Sequence, residues 1–434
     1  MKLSAYYKDI RLFPQKNTVD LVWSFEGLDS YDRVIISKVF TDTAIPEWME
    51  EEFKAFKKDE SRAKRRFQFG GTGFYFDKAP DLPDEVEHHF PDYNLYNEWI
   101  ETKVREAREE KPLAFNEKKF RAQFKEYTDY SIGFLTRGCF RKCPFCVNKK
   151  YKHVFRHSPL REFYDKSRKK ICLLDDNFFG FAQDYDKRGK NHSKTGDDPP
   201  WKALLGELQK TGLPFKFKQG LDERLLSPEM CRELFSSNYD GDYTFAFDKI
   251  SDYDLIHQKL DIIRSTPMAR RASVRFYVLV GFTYGENRPL NARDIENDFR
   301  RIELLMKYKC LPYIMRYQSK DDKPWKKSKY AKIYVEMARW CNQPNFFKKK
   351  SFREYCLACE DYYHSHGGRA AHCSTWTAYC DFIKENPHLE KYCVLKYGQI
   401  HKLIGEPSFA RKQRLARLRI SRKHRIPRKG GAIR

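Results

Sequence analysis

From residue 130 onward, apolar positions fall into two alternating rhythms. Short runs rich in β-branched, aliphatic and aromatic residues recur at 131–135, 170–174, 214–218, 243–247, 274–280 and 311–316. Each has the length of a buried strand. Between them, 201–210, 227–236, 252–265 and 291–309 carry apolar residues at helical spacing. Strand and helix alternating six times predicts a parallel sheet curled into a partial (β/α)6, TIM-like barrel over 126–320. In barrels of this kind the chemistry sits at the C-terminal ends of the strands, so the residues that follow each strand are the candidates.

The flanking regions have other rhythms. Residues 19–25 and 33–40 read as strands, 48–66 as a charged helix, 80–97 as an acidic, Pro-containing loop and 98–126 as an exposed helical linker. A short Rossmann-like α/β domain with charged helical insertions is therefore expected over 1–125. Residues 321–406 are expected to form a mainly helical region containing Cys and His, and 407–434 a basic, disordered tail. Across the chain, 84 Lys and Arg against 60 Asp and Glu leave a net charge of +24, and 41% of residues are hydrophobic. That composition excludes a wholly disordered chain. No apolar run approaches the roughly 20 residues of a membrane span. The first residues also lack the apolar stretch of a secretory signal. A soluble, cytoplasmic protein with no membrane partner is expected.

Twelve cysteines in a reducing compartment point to metal rather than to disulfides. Three of them crowd the segment after the first barrel strand: Cys139, Cys143 and Cys146, in the spacing C-x3-C-x2-C. Three thiolates on one loop can hold three irons of a cubane cluster and leave the fourth iron open. A structural zinc site needs a fourth protein ligand, and His153 and His157 are near enough in sequence to offer one.

This segment resembles the signature of the radical S-adenosylmethionine (SAM) superfamily, with Phe145 at the aromatic position before the last cysteine. The resemblance implies a four-iron four-sulfur (4Fe-4S) cluster on Cys139, Cys143 and Cys146, with SAM chelated at the open iron. It further implies reductive cleavage of SAM to a 5′-deoxyadenosyl radical that attacks a substrate, with electrons from a reductant protein such as flavodoxin or ferredoxin. Leu174-Asp175-Asp176-Asn177-Phe178, after the second strand, resembles a segment of the branch that carries a cobalamin-binding domain ahead of its barrel. There the segment helps to hold the SAM amino group, which implies SAM-binding roles for Asp175, Asp176 and Asn177. Gln219 after the third strand and Asp248 after the fourth are implied polar contacts to SAM or substrate. Gly281 after the fifth would either let adenine approach the backbone or simply end the strand, and Arg275 and Arg316, in the fifth and sixth strands, suit either a carboxylate ligand or packing salt bridges.

The phrase 31–40 and the glycine turn at 70–73 resemble parts of that cobalamin-binding domain. However, the segment is short for a complete doubly wound sheet, and no D-x-H-x-x-G motif is present, although the relatives often lack that motif too, so the sequence leaves cobalamin binding open. No residue is assigned a catalytic role, and nothing in the sequence names the substrate.

A second group, Cys356, Cys359, Cys373 and Cys380 with His364, His366 and His372 among them, suggests a zinc ion or a second iron–sulfur cluster. Its spacing is not that of a zinc ribbon. The segment 407–434 holds eleven Lys and Arg and no acid, which suits contact with RNA phosphates. A non-catalytic nucleic-acid-binding protein with structural zinc is the alternative reading. It accounts for the charge and the cysteines but not for the strand–helix rhythm.

Overall fold

The computed structural model describes residues 1–10, 17–40, 43–61, 64–75, 81–148, 150–192, 198–286, 288–319 and 323–399. The basic segment 407–434 lies outside them. The chain divides into two compact units. One comprises Met1–Ala246, Thr283–Asn287 and Tyr317–Lys323; the other comprises Phe247–Phe282, Arg288–Arg316 and Pro324–Arg434.

In the first unit, β1 (Val34–Ser37) pairs in parallel with β2 (Phe67–Gly70), and helix Glu47–Lys58 connects them. Met49 and Phe56 of that helix pack with Phe69. Among the described residues this one β–α–β crossover is all the sheet that residues 1–125 contain, so the expected Rossmann-like domain reduces to it. The expected strand at 19–25 does not form. Val22, Trp23 and Phe25 are exposed, and Trp23 stacks on Trp99 at 4.9 Å. The segment 98–126 is more than a bare linker. Helix Asn97–Glu110 sets Ile100 and Val104 one turn apart on one face, where they bury against Phe124. The expected loop at 80–97 contains a short helix, Asp84–Glu87, and the buried Tyr93. The Tyr93 hydroxyl accepts the Ile132 N–H at 2.8 Å and donates to the Phe163 carbonyl at 2.6 Å.

Next come β3 (Tyr130–Gly133), β4 (Lys170–Leu173) and β5 (Phe215–Phe217), parallel and adjacent in that order. Ser131 pairs with Ile171, and Ile171 with Phe215. Parallel neighbours require a crossover. Helix Pro200–Lys210 provides it between β4 and β5, burying Trp201, Leu204, Leu205 and Leu208. Ile171, Leu173 and Phe215, which share one face of this sheet, are fully buried. Helix Pro228–Ser236, capped by the Ser227 hydroxyl accepting the Met230 N–H at 3.1 Å, precedes β6 (Tyr243–Ala246).

In the second unit, β7 (Val274–Val280) pairs in parallel with β8 (Leu311–Arg316), Val278 opposite Ile314. Helix Ala292–Lys307 joins them. It opens with a capping box between Asn291 and Asp294. A helical region follows, with Ala331–Asn342, Phe352–Ser365 and Ser374–Glu385 as its longest helices and Trp340, Phe347, Phe352 and Phe382 in its core. All six expected strands form, and the chain is mixed α/β with parallel strand pairs. Among the described residues no helix is long and apolar enough to cross a membrane.

Candidate functional site

Beyond β3 the chain enters a small antiparallel ladder, Thr136–Arg137 with Phe155–Arg156, which closes the base of the loop that carries the three cysteines. β4 runs parallel to β3 and so ends on the same side. Residues 175–177 therefore meet this loop at its root.

Each of the three has a defined task. The Asp175 carboxylate is buried. It accepts the Thr136 N–H and hydroxyl, each at 2.7 Å, and the Leu135 N–H at 3.2 Å. Burial raises its pKa to about 7 against these donors. Asp175 thus anchors the backbone that leads into the loop. Asp176 accepts the Gly138 N–H at 2.7 Å and the Asn148 side-chain amide at 2.8 Å, gripping the loop at both ends. Asn177 accepts the Gly180 N–H at 3.2 Å through its side-chain oxygen and places its side-chain nitrogen 3.4 Å from Cys139 Sγ.

The sulfurs of Cys139, Cys143 and Cys146 lie within electrostatic reach of one another. Burial raises the pKa of Cys139 and of Cys146. Backbone N–H groups point at two of the sulfurs, Arg141 at Cys139 and Asn148 at Cys146, each at 3.3 Å. The Phe145 ring meets Tyr284 edge-on at 6.2 Å.

The turn after β5 supplies residues that the motif reading left unassigned. Asp222 accepts from Arg141 Nε at 2.8 Å, Arg224 Nε at 2.7 Å and Asn177 Nδ2 at 3.3 Å. Burial opposes its charge, but the guanidiniums of Arg224 and Arg141 outweigh that and hold its pKa below the usual carboxylate value. Glu223, fully buried, accepts the Ala246 N–H at 3.0 Å. Burial, reinforced by the charge of Asp222, lifts its pKa to about 8. Arg224 lies within electrostatic reach of Cys143. The sequence signal was available: a carboxylate–carboxylate–guanidinium triplet, Asp222, Glu223 and Arg224, in the turn that follows β5.

The other implied residues are placed as follows. Gln219 is exposed on the turn after β5. Asp248 and Gly281 belong to the second unit. The Asp248 carbonyl accepts from Arg301 Nη1 at 2.6 Å. Gly281 has φ +72°, and a Cβ there would stand 2.7 Å from Trp325 Cβ, so packing within the unit already requires glycine. Arg275 and Arg316 lie over the rings of Tyr313 and Trp325. Next to the cysteine loop is a cavity of about 460 Å³, lined by Gly138, Asn148 and Asp176 together with Glu87, His88 and His157.

Of the second cysteine group, Cys356, Cys359 and Cys373 lie within electrostatic reach of one another, whereas Cys380 is exposed and has Asp381, Glu360 and Arg353 as its charged neighbours. Cys373 caps helix Ser374–Glu385, its sulfur accepting the Trp376 N–H at 3.4 Å. Glu360 faces His372 Nδ1 at 2.5 Å and His364 Nε2 at 3.2 Å and accepts the Cys373 N–H at 2.6 Å. Among the described residues, no three His, Cys, Asp or Glu side chains are gathered closely enough to hold a metal ion. No family model, no curated protein and no solved structure matches this chain.

Proposed function

We propose that the chain is a radical SAM enzyme whose cluster is held by Cys139, Cys143 and Cys146. The observation that carries this reading is the loop itself: three thiols after the first of three adjacent parallel strands, met by the ends of the next two. Three thiols on one loop are the donor type that an iron–sulfur cluster takes. N–H groups aim at two of the sulfurs, and the guanidiniums of Arg141 and Arg224 are at hand to offset thiolate charge. Of the two histidines that could complete a zinc site, His157 has both ring nitrogens engaged, and His153 has one. His157 Nε2 lies 3.1 Å from Glu87, and its Nδ1 lies 3.0 Å from Ser158 Oγ. His153 Nε2 lies 3.0 Å from the Asp186 carbonyl.

When bound, the cluster supplies the electron that cleaves SAM to methionine and a 5′-deoxyadenosyl radical. The residues of the chain position and shield that chemistry. Asp175 and Asp176 fix the loop, Asn177 orients toward Cys139, and Asp222 ties the β5 turn to Arg141. In this reading the six strands belong to one partial (β/α)6 barrel. The enzyme works in the cytoplasm with a flavodoxin- or ferredoxin-like reductant, on a substrate whose identity is open.

The test is anaerobic reconstitution with iron and sulfide. About four of each per chain are expected, with a brown colour, and Cys139→Ala, Cys143→Ala and Cys146→Ala should each abolish them. A colourless protein that takes up zinc instead would favour the nucleic-acid-binding alternative.

A further inference from the structure

The Asn177 amide sits among three groups that admit only one orientation. Its oxygen accepts the Gly180 N–H at 3.2 Å, while its nitrogen has Asp222 Oδ2 at 3.3 Å and Cys139 Sγ at 3.4 Å. Reversing the amide would set its oxygen against a carboxylate and a sulfur and its NH2 against an N–H donor. Asp222 is in turn held by Arg141 and Arg224 and is buried, so this arrangement is not a loose surface rotamer. Both amide protons are thereby committed, one to the carboxylate and one to the sulfur. Hydrogen bonds to cluster sulfurs are among the levers that set an iron–sulfur reduction potential, because they stabilise the more negative, reduced state.

We propose that Asn177, locked by Asp222 and Gly180, is a positioning residue that tunes the reduction potential of the cysteine-loop cluster through an N–H···S bond to Cys139. This rests on the cluster reading of the loop. It assigns Asn177 to the sulfur rather than to SAM, and it makes Asp222 the residue that keeps the donor aimed.

The test is a potentiometric titration of the reconstituted cluster followed by electron paramagnetic resonance. In Asn177→Ala with full iron content, the midpoint is expected to fall by at least about 59 mV, a tenfold change in a one-electron equilibrium. An unchanged midpoint overturns the proposal while leaving the cluster reading intact. If Asn177→Ala does not load, the wild-type protein decides, grown with asparagine labelled with nitrogen-15 in its side chain only. Pulsed resonance of the reduced cluster should then show coupling to an amide nitrogen, and its absence overturns the proposal. The Asn148 amide nitrogen donates to Asp176 and so does not account for a coupling through sulfur. A wild-type protein that assembles no cluster overturns the proposed function, and this inference with it.

Discussion

Gly138 donates its backbone N–H to Asp176 at 2.7 Å, drawing the start of the cysteine loop onto the end of β4. It does so at φ +89°, where a Cβ would stand 2.3 Å from the His153 carbonyl oxygen. Strain and clash act together here. Gly138→Ala should cost about 2 kcal/mol or more, read as a lower urea midpoint of the apo-protein. An unchanged midpoint would mean that the loop does not adopt this path.

Asp175 carries a heavier structural load. Removing its carboxylate leaves the N–H groups of Leu135 and Thr136 and the Thr136 hydroxyl without their acceptor. Asp175→Ala should therefore destabilise the protein by about 3 kcal/mol, and Asp175→Asn by less, because one amide oxygen still accepts. Equal stability of Asp175→Ala and wild type in chemical denaturation would contradict this anchoring role.

How much of this was legible beforehand depends on the element. β7 and β8 coincide with the expected 274–280 and 311–316, because long apolar runs between helical patterns leave little choice. Ser227 and Asn291 stand at the expected helix starts as caps. The run at 19–25 misled because apolar content alone does not make a strand; a partner strand is needed, and Trp23 finds Trp99 instead. The cysteine loop was legible from its spacing, but the tasks of Asp175 and Asn177 were not. Those depend on which atoms β3 and β5 bring alongside, and spacing along one segment carries no such information. Asp222 and Glu223 went unassigned for the same reason.

Glu223 has a measurable signature in pH. Its carboxyl holds a proton in the folded chain up to about pH 8, whereas it ionises near 4.5 when unfolded. Between those values the folded state binds more protons, so this group's contribution to stability is present below about pH 4.5 and is lost as pH rises toward 8. Asp175, raised to about 7, adds in the same direction. Glu223→Gln should flatten the fall of stability with pH across that window, measured by urea unfolding at several pH values. An identical slope in the variant would show that Glu223 is ionised in the folded protein.

The second cysteine group separates by accessibility. Cys380 is exposed, while Cys356 and Cys373 are buried. Brief treatment of the native protein with iodoacetamide, read by peptide mass spectrometry, should label Cys380 well before those two, and labelling should become uniform only in denaturant. Early labelling of Cys356 would contradict the packing of helix Phe352–Ser365.

The most direct test of the central claim is formation of 5′-deoxyadenosine. The reconstituted protein is reduced anaerobically and given SAM, with Cys143→Ala as its control. The account predicts that 5′-deoxyadenosine appears with the wild type and is absent with the variant. A protein with a loaded, reducible cluster that forms none, or a variant that forms as much as the wild type, would contradict it.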